Sequence, residues 1–277
     1  MKISANIVFF NEQYWVKESI SSILPYVDEI ICVDNGSTDS SIEEIRKINS
    51  EKIKIYSMPN LPLGELKNYA VSQSSGEFII RWDADFIAYP NFAELIEYIR
   101  KNNEKFDAYR LSGPNLAGDI YHAPKGKELF GPELYIFRKG LIEFVNTERY
   151  SDYPEIKEGS KICYPLTSTL KNDIFWIHTN TLKPISKILY RANMSEWNKN
   201  GRPLNYWDWL ADKNKTCRSE FKNAQINTLI NKPIEIISFD FEKYGNHPSE
   251  LLSSPSKDFF KVKCQDGKFY IDNYPLD

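Results

Sequence analysis

A chain of 277 residues can form one large α/β domain with appendages or two small domains. Its 42% hydrophobic and 26% charged residues match an ordinary soluble globule, and a net charge of −3, from 35 basic and 38 acidic residues, excludes a global pull toward nucleic acid or membrane. No stretch approaches the ~18 uninterrupted apolar residues of a transmembrane helix, and the N-terminus enters a strand at once, without a signal-peptide pattern. Cys32, Cys163, Cys217 and Cys264 form no Cys-x-x-Cys pair and read as free thiols of a reducing compartment. The expected location is the cytoplasm, with peripheral association at the inner membrane face as the alternative.

In chain order, residues 3–10 make an apolar first strand, and Val16, Ile20, Ile23 and Leu24 follow at helical spacing. Residues 29–34 form the second strand. A helix then starts near Ser40 and Ser41, with Glu43 and Glu44 in its first turn, where acids are favoured, and an Ile42, Ile45, Ile48 stripe. A strand at 53–58, a short helix after Gly64 and a strand at 77–83 precede a helix with Phe92, Leu95, Ile96 and Ile99 on one face. This alternation implies a mostly parallel sheet sandwiched by helices, with ligands at the carboxyl ends of its strands, where Asn11, Asp34 and Asp83 fall.

After residue 105 the pattern changes. Strands are expected at 106–112, 133–138 and 173–178, with 113–132 as a long loop or β-excursion. Helical spacing returns at 185–197, and a helix at 217–230 and a strand at 234–241 follow. Residues 183–222 carry nine Lys or Arg against four acids, a phosphate-facing surface or a solvated helical face. Trp197, Trp207 and Trp209 read as helix packing sooner than as sugar-stacking platforms.

The chemistry concentrates in Trp82-Asp83-Ala84-Asp85-Phe86, directly after the fourth apolar run. A strand continuing through both acids would point them to one face, an arrangement for a hard divalent cation that prefers oxygen and bridges substrate phosphates. A second acidic turn, Asp34-Asn35-Gly36-Ser37-Thr38-Asp39, follows the second strand. Asp39 reads as a turn and helix cap, Asp34 as a ligand. The chain lacks a P-loop, a Gly-x-Gly-x-x-Gly and a Gly-x-Ser-x-Gly elbow.

Four segments, in order and spacing, resemble the family 2 glycosyltransferases of the GT-A fold: Phe9-Phe10-Asn11-Glu12, Val33 to Asp39, Gly64-Glu65-Leu66-Lys67-Asn68-Tyr69-Ala70, and Ser75 to Phe86. The resemblance implies a Rossmann-like GT-A domain: a nucleotide-sugar-binding half at 1–105, an acceptor-binding half at 106–184, and a mainly helical α+β extension at 185–277. It implies an inverting enzyme that uses a nucleoside-diphosphate sugar, commonly uridine-linked, and Mn2+ or Mg2+. Asp34 would hydrogen-bond the base, Lys67 would contact base or diphosphate, and Asp83 would face ribose and phosphate while also standing beside the metal. Asp85 and His178 would hold the metal, and Lys183 would reach the diphosphate. Phe10, Asn11, Glu12, Gly36 and Ala84 complete the implied donor site, and Glu148 and Asp152 are the candidate general bases. Two departures stand out: Lys67 replaces the usual Arg and loses its planar fork, and Phe86 stands where many members carry a further Asp.

The expected acceptor is a glycan or other cell-surface precursor. A peptide or protein side chain and modified (hydroxymethylated) DNA are the alternatives. Of other classes, a nucleotidyltransferase would show a Gly-rich first loop in place of Phe9 to Glu12, and retention of both Asp83 and Asp85 argues against an inactive sugar-nucleotide-binding module.

Overall fold

In the computed structural model, the described residues are 1–147, 152–163, 174–199, 201 and 206–277. They divide into two units: Met1–Asn115, Lys127–Thr179 and Asp240–Ser254 make the first, and Leu116–Gly126, Asn180–Phe239 and Pro255–Asp277 the second.

The first unit opens with the expected alternation: β1 (Ile3–Phe9), α1 (Val16–Ile23), β2 (Glu29–Asp34), α2 (Ser41–Arg46), β3 (Ile53–Ser57), α3 (Leu63–Gln73), β4 (Phe78–Arg81), β5 (Phe86–Ala88) and α4 (Phe92–Asn102). The stripe of α4 is buried as its spacing predicts. Next come β6 (Ala108–Pro114), β7 (His122–Pro124, in the second unit), β8 (Leu129–Arg138), β9 (Ile142–Val145), β10 (Tyr153–Ile156), β11 (Ile162–Cys163) and β12 (Trp176–His178). Among the described residues the main sheet has seven strands in the order β11-β6-β8-β4-β1-β2-β3. β4, β1, β2 and β3 run parallel, and β8 is antiparallel to both β4 and β6. Of the parallel strands, β1, β2 and β4 are buried on both faces, which is why β1 and β2 read as nearly unbroken apolar runs. The stretch 113–132 is a β-excursion: β6 and β8 extend into it and pair with each other.

Two expected strands end early. β4 stops at Arg81, not 83. Its pairing with β8 ends at Ile80 and with β1 at Arg81, and after a last bond from Trp82 N–H to the Asn6 carbonyl the chain turns. Phe86 N–H donates to the Asp83 carbonyl at 3.0 Å, closing that turn. The pleat therefore does not set the relation of Asp83 to Asp85. The strand at 234–241 is only Ile236–Ser238, because the Asp240 carboxylate accepts the Lys243 N–H at 3.0 Å and caps a short helix, Phe241–Tyr244.

The second unit contains α5 (Ile185–Lys199), α6 (Tyr206–Lys213) and α7 (Arg218–Asn231). It also holds β13 (Ile236–Ser238) paired with β7, and a hairpin of β14 (Lys261–Gln265) and β15 (Lys268–Asn273). Trp197, Trp207 and Trp209 are buried, with Tyr206 packed against all three. Cations of the basic stretch lie on this unit's surface: Arg218 pairs with Asp208 and Lys222 with Asp277, and Lys213 pairs with Glu196. The segment Asp240–Ser254 returns to the first unit as α8 (Phe241–Tyr244) and α9 (Ser249–Ser253); Leu251 is fully buried and Ser254 Oγ donates to Glu18 on α1 at 2.8 Å.

Candidate active site

The loops after β1 and β2 are tied to each other. Asn11, in the left-handed region at φ 53°, donates its N–H to Ser37 Oγ at 2.9 Å and accepts the Thr38 N–H at 2.8 Å. Glu12 N–H reaches Ser41 Oγ at 2.7 Å. Asp34 is buried, and its Oδ1 accepts the Ser37 N–H at 2.9 Å. The turn thus engages one carboxylate oxygen, which is the turn role. Gly36 has φ +84°, and a Cβ there would lie 3.1 Å from Pro59 Cβ, so conformation and space both call for glycine. Asp39 accepts from Ser41 N–H at 3.0 Å and from Gln13 N–H at 3.1 Å, a turn role; the residue at the N-cap of α2 is Ser40.

The turn at 82–85 rests on α1. Ser19, buried in that helix, accepts from the Trp82 indole at 2.9 Å and donates to the Asp83 carbonyl at 3.1 Å; one turn on, Ser22 accepts the Ala88 N–H at 2.9 Å. Ala84 and Asp85 are buried and Asp83 is half-buried. Burial pushes the Asp83 carboxyl upward, with Asp85 adding to the rise and Arg81 and Lys67 opposing it. The Arg81 guanidinium lies 4.5 Å from the Tyr135 ring centre and pairs with Glu133. Lys67, on α3, pairs with Asp152, and its ammonium is 5.5 Å from the Phe144 ring centre. Burial, and then Arg81, lowers the Lys67 pKa, against the opposing pull of Asp152 and Asp83. The next residue, Asn68, binds both the N–H and the carbonyl of Phe144 at 2.9 Å, fastening β9 to α3.

Asp85 meets His178 because β5 and β12 pair antiparallel, with His178 opposite Phe86. The Asp85 Oδ2 to His178 Nε2 distance is 3.0 Å, and Thr179 N–H donates to the Asp85 carbonyl at 3.0 Å. Phe86, fully buried, packs against Trp82, Trp176, Tyr135 and the edge of the His178 ring. This accounts for an aromatic residue at that position: its ring packs against the imidazole at 4.9 Å between centres. At the other ring nitrogen, His178 Nδ1 lies 2.9 Å from Asn115 Oδ1.

Lys183 belongs to the second unit and is buried there. Glu148 lies outside the described residues. Asn115, Glu133 and Tyr135 were not singled out from the sequence, since each reaches its partner through strand pairing across long chain separations. Asn115 sits in the Gly-Pro-rich excursion, the one signal that marked the region.

The residues present fit a divalent cation bound at Asp85 and His178: one hard oxygen and one imidazole nitrogen, which Mn2+ and Mg2+ chemistry accommodates. Among the described residues no group of three or more His, Cys, Asp or Glu could hold a metal, so diphosphate and water would supply the remaining ligands, as is usual for such cations.

A family model described as glycosyl transferase family 2 matches residues 4–151. An uncharacterized glycosyltransferase of Rickettsia conorii is 31% identical over 198 residues, covering 69% of this chain and 67% of the relative. One from Rickettsia typhi is 24% identical over 197 residues, covering 69% and 64%. One from Haemophilus influenzae is 37% identical over 109 residues, covering 36% and 33%. The chain thus spans less than two thirds of the length of these last two relatives. Among solved structures, S. aureus TarS 1–349 in complex with UDP-GlcNAc is similar, with a TM-score of 0.47 and 17% identity, over 64% of this chain and 58% of that one.

Proposed function

The chain belongs to glycosyl transferase family 2, and from that premise we propose that it is an inverting, metal-dependent glycosyltransferase, taking a sugar from a uridine-diphosphate sugar to a hydroxyl of a glycan or other cell-surface precursor. The observation that carries this reading is the meeting of Asp85 and His178 at 3.0 Å in the turn after β4. When bound there, Mn2+ or Mg2+ would neutralise charge on the departing diphosphate.

The chain's own residues do the rest. Asp34, with Oδ1 held by its turn, presents its carboxylate to a uracil N–H, while Phe10, Asn11, Glu12 and Gly36 form the wall beside it. Asp83 and Lys67 face ribose and phosphate, with Ala84 between the two acids leaving the backbone approachable. Glu148 and Asp152 are the candidates to take the acceptor proton. Of the two, Asp152 carries an ion pair to Lys67. The surface ion pairs of the basic stretch favour a neutral glycan over DNA as acceptor. Among the described residues no helix is long and apolar enough to cross a membrane, and the proposed setting is the cytoplasm.

Asp85→Ala is expected to abolish both donor hydrolysis and transfer, measured with a panel of uridine-diphosphate sugars and Mn2+. Unchanged turnover by that variant in chelator sinks the metal mechanism. In a thermal-shift series with Mn2+, uridine diphosphate is expected to stabilise most; preferential stabilisation by guanosine or cytidine diphosphate refutes the assigned base.

A further inference from the structure

Asn115 is the residue behind His178, and three hydrogen bonds leave it little freedom. Its N–H donates to the Glu128 carbonyl at 2.8 Å, its Nδ2 donates to the Lys127 carbonyl at 2.8 Å, and its Oδ1 lies 2.9 Å from His178 Nδ1. The second bond fixes the amide. A carbonyl oxygen only accepts, so the NH2 end must face Lys127 and the oxygen must face the imidazole. That oxygen also only accepts, so His178 Nδ1 carries a proton. In a neutral ring the lone pair is then on Nε2, the nitrogen 3.0 Å from Asp85 Oδ2.

Backbone packing sets up this contact. Asn115 and His178 form a parallel bridge, as do Ser112 and Ile174, so β12 runs alongside the end of β6. Gly113 permits the approach, since a Cβ there would fall 2.5 Å from the Trp176 indole nitrogen. Asn115 is 4% exposed.

We infer that Asn115 is a positioning residue that locks His178 with its proton on Nδ1 and leaves the Nε2 lone pair for a divalent cation held jointly with Asp85, so that the imidazole serves as its neutral ligand. The inference rests on the metal reading of Asp85 and His178. An amide in this place also sets the strength of the ligand. A carboxylate behind a ligating histidine raises its basicity, whereas a neutral amide orients the ring without adding charge, which suits an exchangeable Mn2+ or Mg2+.

The test uses the whole chain labelled with 15N-histidine, with His122→Gln and His247→Gln assigning the signals. Nitrogen shifts and long-range couplings, recorded with Mg2+ and uridine diphosphate, are expected to place a proton on His178 Nδ1. In Asn115→Leu the ring is expected to sample both tautomers. Mn2+ affinity by electron paramagnetic resonance, with uridine diphosphate present, is expected to fall about 10–100-fold in that variant. Asn115→Asp is expected to keep the Nδ1 proton and to bind Mn2+ at least as tightly as wild type, a rescue that simple packing at this site would not produce. A bare Nδ1 in wild type overturns the inference, as does a folded Asn115→Leu with wild-type Mn2+ affinity. If Asn115→Leu fails to fold, the wild-type ring and Asn115→Asp decide, and weaker Mn2+ binding by Asn115→Asp overturns the inference. A wild type with the Nδ1 proton but no Mn2+ binding removes the metal reading while leaving the orientation of His178 by Asn115 standing.

Discussion

Glu29 is an acid at the first position of a strand that is otherwise apolar, buried at the end of the sheet away from the candidate site. Its carboxylate accepts from Ser4 Oγ at 2.6 Å and Ser75 Oγ at 2.7 Å, and Lys54 lies 2.9 Å from its other oxygen. Ser4 Oγ in turn accepts the Gly76 N–H at 2.8 Å, so a single side chain joins β1, β2 and the turn into β4. Burial pushes this carboxyl up, but the hydrogen bonds from Ser4, Lys54 and Ser75 outweigh it and hold the pKa down at about 2, from an ordinary 4.5. A depressed carboxylate stabilises the fold fully above its unfolded pKa and loses that contribution as pH falls through its folded value. The window here runs from 4.5 down to about 2. Glu29→Gln is expected to cost roughly 2 kcal/mol at pH 7 and to flatten the fall in stability across that window, both read from urea titrations at stepped pH. A variant as stable as wild type at pH 7 would count against the clamp.

At the scale of elements, α3 does two jobs. Its apolar side, Leu66 and Ala70, packs on Ile31 and Val33 of β2. Its Lys67 and Asn68 reach the opposite way, to Asp152 and to the backbone of Phe144. Asn68 is therefore a fastener between the parallel part of the sheet and the β9–β10 pair. Asn68→Ala is expected to cost about 1–2 kcal/mol, and to raise amide hydrogen exchange in β9 and β10 before it does so in β1 or β2. Uniform exchange over the whole sheet would argue against a local fastening role. The helix and the strands that build this layer were readable from periodicity alone. The fastening was not, because Asn68 and Phe144 are 76 residues apart and meet only through the placement of β9.

For the whole molecule, the chain leaves the first unit twice and returns, the second time as Asp240–Ser254. Leu251 on α9 is fully buried, and Ser254 bonds Glu18 on α1, the helix whose Ser19 holds the Asp83 turn. A late stretch of sequence thus supports the element beneath the candidate site. Leu251→Ala is expected to cost about 2–4 kcal/mol and to lower the global midpoint in urea. A loss confined to protection of the second unit would contradict that dependence. The composition of 240–254 announced nothing of this, since burial of one leucine on α9 becomes meaningful only once α1 lies beside it.

By itself the sequence determined the alternating α/β half, the family it resembles, and the acids and histidine at strand ends, because these signals are local: periodicity, turn chemistry and short motifs at fixed spacing. It misjudged the run at 77–83, where apolar character continued past the last partner strand and the alternation rule no longer applied to Asp83 and Asp85. Tertiary structure alone decided that Asp85 faces His178, that Asn115 stands behind that histidine, and that Lys67 is paired with Asp152. Those contacts join residues 63 to 93 positions apart through sheet register. Register is a property of which strands pair and where they stop, and no local stretch of chain encodes it.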